Sequence, residues 1–433
     1  MELNFYFKMK KQGILLAIAL ACMTMTFAAN AQTTREEMAA DLNKTGGVYF
    51  AYPAVSADNT PAPKGFKPFH ISHYGRHGSR YLIGDNDYRW IARLMHKADS
   101  ANALTPLGRD FMSRLDSLMV EADGRGGDLS PLGRRQHRAI AGRMQKNYPE
   151  VFADNSYITA RSTLVPRCIL SMSSFCERLK ETNPKLQIEY ESSNRNMPYI
   201  CHSTPESDRF NSRNGWWHEM YRKFENKNTH PDRVVASIFS DKEFVDRYVN
   251  PRDFMWGIYW LASDAQNTEG RINFYDLLTA DELFDLWQCF NSQFYAKHAD
   301  FAPADGVHLQ NAANLLSNII ATADEAIASD KPSAALRFGH DGNVVPLTAL
   351  MQLEGCDAVI ESPDDFYKGW CDWKVSPMAA NIQLVFFRNP KEPGRILVKI
   401  LHNEKETRVP VKTDIWPYYD WNDLKAFFLS RIK

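Results

Sequence analysis

The stretch from Phe69 to Tyr81 constrains this chain more than any other part of it. It reads Phe-His-Ile-Ser-His-Tyr-Gly-Arg-His-Gly-Ser-Arg-Tyr, and it begins inside an apolar and β-branched run at residues 68–72. This pattern predicts a strand that ends and opens into a loop. Ligands bind at such places in many α/β proteins, because the crevice lies beyond the carboxyl ends of the strands.

Two arginines in this stretch, Arg76 and Arg80, bracket a histidine, His77. A guanidinium donates two parallel hydrogen bonds to phosphate oxygens, and the glycine after the histidine has no Cβ to keep an oxyanion at a distance. A neutral imidazole held against a phosphoryl group can attack phosphorus. The cluster predicts a phosphate site, and a solvated basic turn or a nucleic-acid contact is the alternative on these residues alone.

A second candidate anion site follows the β-rich segment at residues 156–160. Arg167 lies in the first turn of the next predicted helix, where free backbone N–H groups and the helix dipole both favour an anion. Arg161, at the end of the segment, competes with Arg167 for the same role, and we favour Arg167.

A third constellation lies late in the chain, where a strand predicted at Ser333–Phe338 ends in His340 and Asp341. A helix is predicted after it, at Val345–Leu353. A His-Asp pair alone is weak evidence, because a capped helix start gives the same dipeptide. The pair follows the two arginine sites in the chain and again lies at a strand end. The three motifs in this order are a much more specific sign of a phosphate site than the pair alone.

Two similar phrases, each with a hydroxyl residue before a proline, predict helix starts. These N-cap and N1 residues place helices at Pro106–Ala122 and Pro131–Asn147. From residue 194 to about 328 the strand–helix alternation gives way to an aromatic, helical region. Two later strands, at 378–387 and 395–401, predict a hairpin.

Arg-His-Gly-x-Arg after a hydrophobic strand resembles the signature of the histidine phosphatase superfamily. The form found here, with the distal His340-Asp341, is most similar to the histidine acid phosphatase branch, which includes phytases and multiple inositol polyphosphate phosphatases. Many members carry a proline shortly after the second arginine, where this chain has Tyr81 and Leu82. The resemblance implies a three-layer α/β/α core with a mixed, mostly parallel central sheet, like that of phosphoglycerate mutase, plus an inserted α-helical cap.

The resemblance also implies roles for the candidate residues. His77 would form a phosphohistidine, and Asp341 would protonate the leaving group and then activate water. The phosphate-binding residues would be Arg76, Arg80, Arg167 and His340. No metal or other cofactor is expected, because the arginines carry the charge that Mg²⁺ carries elsewhere. An aspartic acid that must be protonated beside cations needs acidic conditions or a raised pKa, so we expect a mildly acidic working pH.

The first 31 residues are typical of an export signal. A basic start at Lys10-Lys11 is followed by an apolar stretch at 13–27 and by the small-x-small site Ala29-Asn30-Ala31. Lipid attachment at Cys22 is a less favoured alternative. The predicted organisation is a signal peptide at 1–31, a first part of the α/β core at 32–193, a mainly helical cap at 194–330 and a second part of the core at 331–433.

Charge and hydropathy exclude several classes of protein. Loss of residues 1–31 removes three lysines and one glutamate, so the formal charge changes from −1 to −3. This balance excludes a nucleic-acid-binding protein, and no later apolar run is long enough to span a membrane. We therefore expect a periplasmic or secreted protein whose partner is a small phosphorylated substrate.

Six cysteines remain after the signal: Cys168, Cys176, Cys201, Cys289, Cys356 and Cys371. An even number in an exported chain permits disulfides, and Cys356 with Cys371 is the first candidate pair. Buried free thiols are the alternative.

These observations favour a phosphomonoesterase that acts on small organic phosphates, inositol polyphosphates among them. A mutase-type phosphoryl transferase that uses the same histidine is one alternative. A non-catalytic protein that binds polyanions or glycans on the same fold is the other.

Overall fold

The structure is a computed structural model that describes residues 33–54, 59–154, 156–212, 217–270, 272–329 and 331–432. The predicted export signal, residues 1–31, lies outside these ranges. Within them, no helix is both long and apolar enough to cross a membrane.

The described strands form one mixed sheet. They are β1 (Lys67–Arg76), β2 (Tyr157–Ser162), β3 (Gln187–Glu191), β4 (Ser333–Gly339), β5 (Asn381–Arg388), β6 (Ile396–His402), β7 (Lys405–Glu406) and β8 (Tyr418–Asp420). Their order in space is β3-β2-β4-β1-β5-β6-β7, and β8 pairs with β6. Strands β1 to β4 run parallel, whereas β5 and β6 form an antiparallel hairpin. The predicted α/β fold with a mixed central sheet and a late hairpin is confirmed.

Helices of very different lengths connect and cover the strands. They are α1 (Arg35–Ala40), α2 (Asp85–Ser100), α3 (Pro106–Ala122), α4 (Pro131–Asn147), α5 (Pro166–Thr182), α6 (Met197–Ile200), α7 (Pro205–Phe210), α8 (Trp217–Asn228), α9 (Asp232–Ile238), α10 (Lys242–Tyr248), α11 (Pro251–Ala265), α12 (Ala280–His298), α13 (Ala313–Ala328), α14 (Asp341–Leu350), α15 (Phe366–Gly369), α16 (Asp372–Val375) and α17 (Trp421–Arg431). A 3₁₀ segment at Leu42–Tyr49 follows α1.

The caps of α3 and α4 form as the sequence predicts. The hydroxyl of Thr105 accepts a hydrogen bond from the N–H of Gly108, and the hydroxyl of Ser130 accepts one from the N–H of Gly133. Each cap satisfies an N–H group that has no partner inside its own helix. The predicted bounds of both helices are confirmed.

The sheet carries helices on both faces. On one face, Ile71 and Leu336 pack in a cluster that includes Ile140 of α4 and Phe175 of α5. On the other face, strand β5 packs in a second cluster with residues of α13, α14 and α17, namely Leu384 and Phe386 with Leu316, Leu347 and Phe428. These two clusters make the three layers that hold β1 and β4 side by side.

A third cluster is almost entirely helical. It joins Ile91 of α2 and Phe111 of α3 to Ile238 of α9, Ile258 of α11 and Leu286 of α12. The helical region next to the sheet is therefore built from two separate chain segments, α2–α3 and α9–α12. The domain boundaries predicted at residues 193 and 330 stay a prediction.

Strand β1 is longer than its sequence indicates. The apolar run ends near Ser72, but β1 continues to Arg76 because both of its edges are paired. Gly75 lies opposite Phe338 of β4 and also opposite Asn381 of β5. The polar part of the stretch is thus paired on both edges, as the apolar part is.

Helix α14 begins at Asp341, four residues before the predicted start at Val345. His340 has extended backbone at the N-cap position, and Asp341 occupies the first turn. A carboxylate is stabilised there by the helix dipole. Pro346 lies inside the helix, so it does not mark the helix start.

The predicted disulfide between Cys356 and Cys371 is wrong. All six cysteines in the described part of the chain are free, and these two lie in different hydrophobic clusters. The Sγ atom of Cys356 lies 3.7 Å from Nδ1 of His402 instead. The alternative, buried free thiols, describes five of the six, and Cys201 is half-buried.

Candidate active site

Strands β1 and β4 bring the two candidate histidines together. Arg76 at the end of β1 pairs with Gly339 at the end of β4, so the residues that follow lie at the same sheet edge. The N–H of His77 donates to the carbonyl of Gly339 at 3.0 Å, and the ring centroids of His77 and His340 are 5.7 Å apart. The distal pair thus meets the first motif through parallel strand pairing.

Arg76 is fully buried at the centre of this edge. Its Nη1 donates to the carbonyls of Val48 and Ser376, at 2.5 and 2.8 Å. Its Nη2 lies 2.7 Å from Oδ2 of Asp341, so the guanidinium links the two motifs through an ion pair. Among the described residues, its buried Nε has no hydrogen-bond partner.

Arg80 is held by its neighbours in a similar way. Its Nη1 donates to the carbonyl of Tyr81 at 2.7 Å, and its Nη2 donates to the hydroxyl of Tyr49 at 3.2 Å. The guanidinium also lies 4.7 Å from the centroid of the Tyr49 ring. Its Nε is another buried donor without a partner in the described part of the chain.

The structure separates the two candidates for the third arginine. Arg167 lies in the first turn of α5, and its only hydrogen bond among the described residues is to the carbonyl of Gly127 at 3.4 Å. Arg161 forms ion pairs with Glu189 and Glu191, so its charge is already compensated. Arg167 is the candidate that retains donors for a ligand.

His77 is neutral in this environment. Burial, together with the charges of Arg76, Arg80 and Arg167, holds its pKa well below the usual value. Its Nδ1 lies 2.9 Å from the carbonyl oxygen of Gly78. A carbonyl only accepts hydrogen bonds, so the proton is on Nδ1 and the lone pair is on Nε2. The ring is therefore in the form that a nucleophile needs.

His340 and Asp341 have depressed pKa values as well. Burial and the nearby arginines lower the pKa of His340 to about 4. Burial raises the pKa of Asp341, but Arg76, His298 and His340 lower it more, to about 2. The sequence predicts that a protonated Asp341 needs either acidic conditions or a raised pKa. The raised pKa is wrong for the ligand-free protein, because the adjacent guanidinium stabilises the carboxylate.

The loop at His77–Arg80 packs directly onto the start of α4. A Cβ on Gly78 would lie 2.5 Å from the carbonyl oxygen of Gly133, and a Cβ on Gly133 would lie 2.3 Å from that of Ser79. Such distances are far inside van der Waals contact, so both positions require glycine. The N–H of Gly78 donates to the hydroxyl of Ser171 in α5 at 3.1 Å.

A family model for the histidine phosphatase superfamily (branch 2) matches residues 75–403. The chain belongs to this branch of the superfamily. The multiple inositol polyphosphate phosphatase of Bifidobacterium longum, solved with inositol hexasulfate, is 17% identical, covers 90% of this chain and 98% of its own, and superposes with a TM-score of 0.77. The phytase from D. castellii is 13% identical over 90% of this chain and 85% of its own, with a TM-score of 0.65.

No protein of curated function matches the chain. At these identities the solved structures show the fold, whereas the family model shows the family. The resemblance inferred from the sequence is confirmed, and so is the prediction of a phosphoric monoester hydrolase.

The sequence analysis does not predict the residues that support the loop at His77–Arg80. Asp372 is fully buried and accepts hydrogen bonds from the N–H of Val48 at 3.2 Å and from Nε1 of Trp287 at 2.9 Å. It thereby fixes the segment that offers the Val48 carbonyl to Arg76. No local pattern announces this role, because Val48 and Asp372 are distant in sequence.

Ser79 is fixed by a second unpredicted group of polar residues. Its N–H donates to Oε1 of Gln136 at 2.8 Å, and its hydroxyl donates to Oδ1 of Asn267 at 2.7 Å. The amide of Asn267 donates in turn to the carbonyl of Tyr49 at 2.9 Å. Side chains of α4 and of the segment after α11 are thus hydrogen-bonded to the loop at His77–Arg80, which we call the phosphate loop.

A cleft of about 1030 Å³ opens beside the arginine cluster. Arg80 and Asp341 both line it, so it is continuous with the candidate phosphate site. Its other walls come from α2, α8, α10, α11 and α12. A ligand held at Arg80 would therefore extend toward the helical cluster.

Proposed function

We propose that this chain hydrolyses small organic phosphate monoesters through a phosphohistidine at His77. The observation that carries the proposal is the neutral His77 ring among three arginines, with Nδ1 hydrogen-bonded to the carbonyl of Gly78 and Nε2 without a partner among the described residues. A neutral imidazole is a nucleophile, and the positive charges around it favour an electrophile that carries negatively charged oxygens. A phosphoryl group is such an electrophile.

The arginines bind the phosphoryl oxygens in this scheme. Arg76, Arg80 and Arg167 each keep a buried Nε without a partner among the described residues, and His340 lies across the ring of His77. Charged donors in a partly dry site supply roughly several kcal/mol of differential stabilisation as charge develops on the transferred group. That stabilisation favours the transition state over the bound ester.

The two half-reactions use Asp341 in opposite directions. Nε2 of His77 bonds to phosphorus, the P–O bond to the alcohol breaks, and the departing oxygen takes a proton from Asp341. The resulting carboxylate then removes a proton from water, and the oxygen of that water displaces His77 and releases phosphate. General acid catalysis of this kind contributes about 10²–10⁴-fold.

Asp341 obtains its first proton from the substrate. The pKa of its carboxyl is about 2 in the free protein, so at pH 5 the carboxyl is ionised. A phosphate monoester is still a monoanion below its second pKa of about 6. We infer that the bound monoanion transfers its proton to Asp341, whose pKa rises as the negative phosphoryl group approaches.

The test is phosphate release by the His77→Ala variant. We expect activity to be lost for every ester that the wild type hydrolyses, because no other group here replaces Nε2. His96→Ala is the matched control, since His96 is an exposed histidine paired with Asp116. Retained turnover in His77→Ala would exclude the covalent intermediate.

We also propose that residues 1–31 direct export and are removed. The support is the order of basic, apolar and small residues that ends at Ala31. Terminal sequencing of the protein recovered from the periplasm or the medium should begin at Gln32.

A further inference from the structure

The cleft beside the phosphate site is walled by aromatic side chains. Trp256 and Trp260 lie one turn apart on α11, with ring centroids 5.7 Å apart and planes inclined by 26°. Trp90 of α2 also lines the cleft, as do Tyr221 and Tyr248. These residues form what we call the aromatic wall.

The aromatic wall is built into the fold. Trp90 lies directly on the backbone of α11 at Gly257, where an added Cβ would be 2.6 Å from Cζ2 of the Trp90 ring. Trp260 packs against Tyr49 and edge-on against Phe290, with ring centroids 5.8 and 4.8 Å apart. The wall thus begins next to Tyr49, which also contacts Arg80.

The charges of the cleft balance. Beyond the phosphate site, its described lining residues include three cations, Arg93, Lys97 and Arg252, and three carboxylates, Asp87, Glu225 and Asp253. Each of the three cations also has a partner. Arg252 pairs with Glu225 at 2.6 Å, Nη2 of Arg93 donates to Oδ1 of Asn86 at 2.9 Å, and Nζ of Lys97 lies 3.3 Å from the centroid of the Tyr248 ring.

A densely phosphorylated substrate does not suit this surface. Each added phosphate would need a cation of its own, and carboxylates such as Asp87 and Asp253 would repel it. The same carboxylates accept hydrogen bonds from hydroxyl groups, as do the amides of Asn250 and Gln293, which also line the cleft. Flat aromatic rings bind the apolar face of a ring.

We propose that this cleft selects a polyol ring bearing a single phosphoryl group over both ringless esters and polyphosphorylated rings. The inference rests on the proposed function, since the phosphoryl group occupies the arginine cluster while the ring lies on the aromatic wall. The apolar face of the ring stacks on tryptophan, and its hydroxyls bond to the carboxylates and amides.

The test compares kcat/KM for glucose 6-phosphate, glycerol 2-phosphate and inositol hexakisphosphate. We expect kcat/KM for glucose 6-phosphate, the ring monophosphate, to exceed kcat/KM for each of the other two esters by about 10-fold or more. Trp256→Leu should reduce the preference for glucose 6-phosphate over glycerol 2-phosphate by about 10-fold, mainly through KM. Tyr157→Leu is the matched control, because Tyr157 is exposed at the amino end of β2.

A charge reversal tests the second half of the proposal. Asp253→Lys should raise kcat/KM for inositol hexakisphosphate relative to glucose 6-phosphate by about 10-fold, whereas Asp246→Lys, outside the cleft, should not. A wild type that prefers the hexakisphosphate, together with no change in Asp253→Lys, would overturn the inference and leave the phosphatase intact.

A different result would separate the two proposals. If no ester is hydrolysed, the proposed function fails, and calorimetric titration with glucose 6-phosphate and glycerol 2-phosphate tests the cleft directly. Tighter binding of the ring ester that Trp256→Leu removes would support the selection. Equal binding of both esters would overturn it.

Discussion

The properties of His77 follow from the side chains that surround it. Burial disfavours an imidazolium at this position, and the charges of Arg76, Arg80 and Arg167 add to its effect. The same charges attract a phosphoryl group. One arrangement of residues therefore deprotonates the nucleophile and binds its target.

The pH dependence of kcat/KM should follow the second pKa of the substrate phosphate and not the pKa of His77. In the free protein, burial and the nearby arginines hold the pKa of His77 well below its usual value, and the pKa values of His340 and Asp341 are about 4 and about 2. The reactive pair is an ionised Asp341 and a substrate monoanion, so kcat/KM should fall as pH rises through about 6. Rates for two esters with different second pKa values check this, since the falling limb should move with the ester. A limb at one fixed pH for both esters would contradict the proton transfer from substrate.

The two arginines near β2 should differ sharply in their effect on activity. Arg167→Met removes a donor to the phosphoryl group and should lower kcat/KM by about 10²–10³-fold. Arg161→Met removes the ion pairs with Glu189 and Glu191 and a hydrogen bond to the carbonyl of Glu189, and it should change kcat/KM by less than about 3-fold. Steady-state kinetics of both variants decide the assignment. The reverse order of effects would place the phosphate at Arg161.

At the scale of elements, the paired Leu-x-Pro-Leu-Gly-Arg phrases show why a local motif recurs. Both phrases start helices, and each places a glycine in contact with the backbone of another element. A Cβ on Gly108 would lie 2.3 Å from the carbonyl oxygen of Ile238, and one on Gly133 would lie 2.3 Å from that of Ser79. The first contact joins α3 to the helical cluster, and the second joins α4 to the phosphate loop.

Gly133→Ala should therefore damage the active site. The added methyl group has backbone at Ser79 in its way, so the loop must move, and a shift of about 1 Å costs on the order of 10²-fold in activity. Gly142→Ala, in the same helix, is the control. Its Cβ would meet only the end of the Arg178 side chain at 3.3 Å, and the exchange should stabilise the helix by about 1 kcal/mol. Kinetics and thermal unfolding of both variants test this, and an active Gly133→Ala enzyme would contradict it.

Helix starts and the first strand were predictable because their signals are local. The Thr-Pro and Ser-Pro phrases gave the bounds of α3 and α4, and the Arg-His-Gly stretch gave the end of β1 to within a few residues. The start of α14 was missed because Asp341 is held in its first turn by the ion pair with Arg76, which is a tertiary contact. A local sequence pattern cannot predict such a contact, because the two residues are distant in the sequence.

For the whole molecule, two buried carboxyl groups link stability to pH. Burial raises the pKa of Asp264 and that of Asp372 to about 7. Asp264 accepts a hydrogen bond from the hydroxyl of Tyr88 and lies near Arg80, and Asp372 supports Val48. Both carboxyls therefore lie behind the active site and away from solvent.

Protonation of Asp264 should stabilise the folded protein more near pH 5 than near pH 7. Between the ordinary value of 3.8 and the folded-state pKa of about 7, the folded state binds more protons at Asp264 than the unfolded state does. The contribution of this group to the free energy of unfolding therefore decreases as pH rises through this window. Buried histidines such as His77 and His340 contribute with the opposite sign, because their pKa values are lowered in the folded state. The effect of Asp264 is therefore the difference in free energy of unfolding between wild type and Asp264→Asn, which should decrease from pH 5 to pH 7. The same difference for the exposed Asp246→Asn should not change. Chemical denaturation at several pH values measures both differences, and a constant difference for Asp264→Asn would contradict the prediction.

The candidate site was largely predictable, and its support was not. His77, Arg76, Arg80 and the His340-Asp341 pair stand in recognisable motifs, and parallel strands bring their ends together. Asp372, Asn267 and Gln136 are single polar residues in unremarkable surroundings, and only the fold shows what they hold. The free cysteines were unpredictable for the same reason, since pairing depends on which cluster each thiol enters.

The most direct test is to trap the enzyme during turnover and locate the phosphoryl group. A rapid quench into alkali preserves phosphohistidine, and peptide mass spectrometry identifies the modified residue. We predict a phosphoryl group on His77. With p-nitrophenyl phosphate, whose leaving group needs no proton from Asp341, more of it should accumulate in Asp341→Asn, because that variant cannot activate water for the second step. Turnover with no phosphorylated His77 in either protein, or with the phosphoryl group on another residue, would contradict the account.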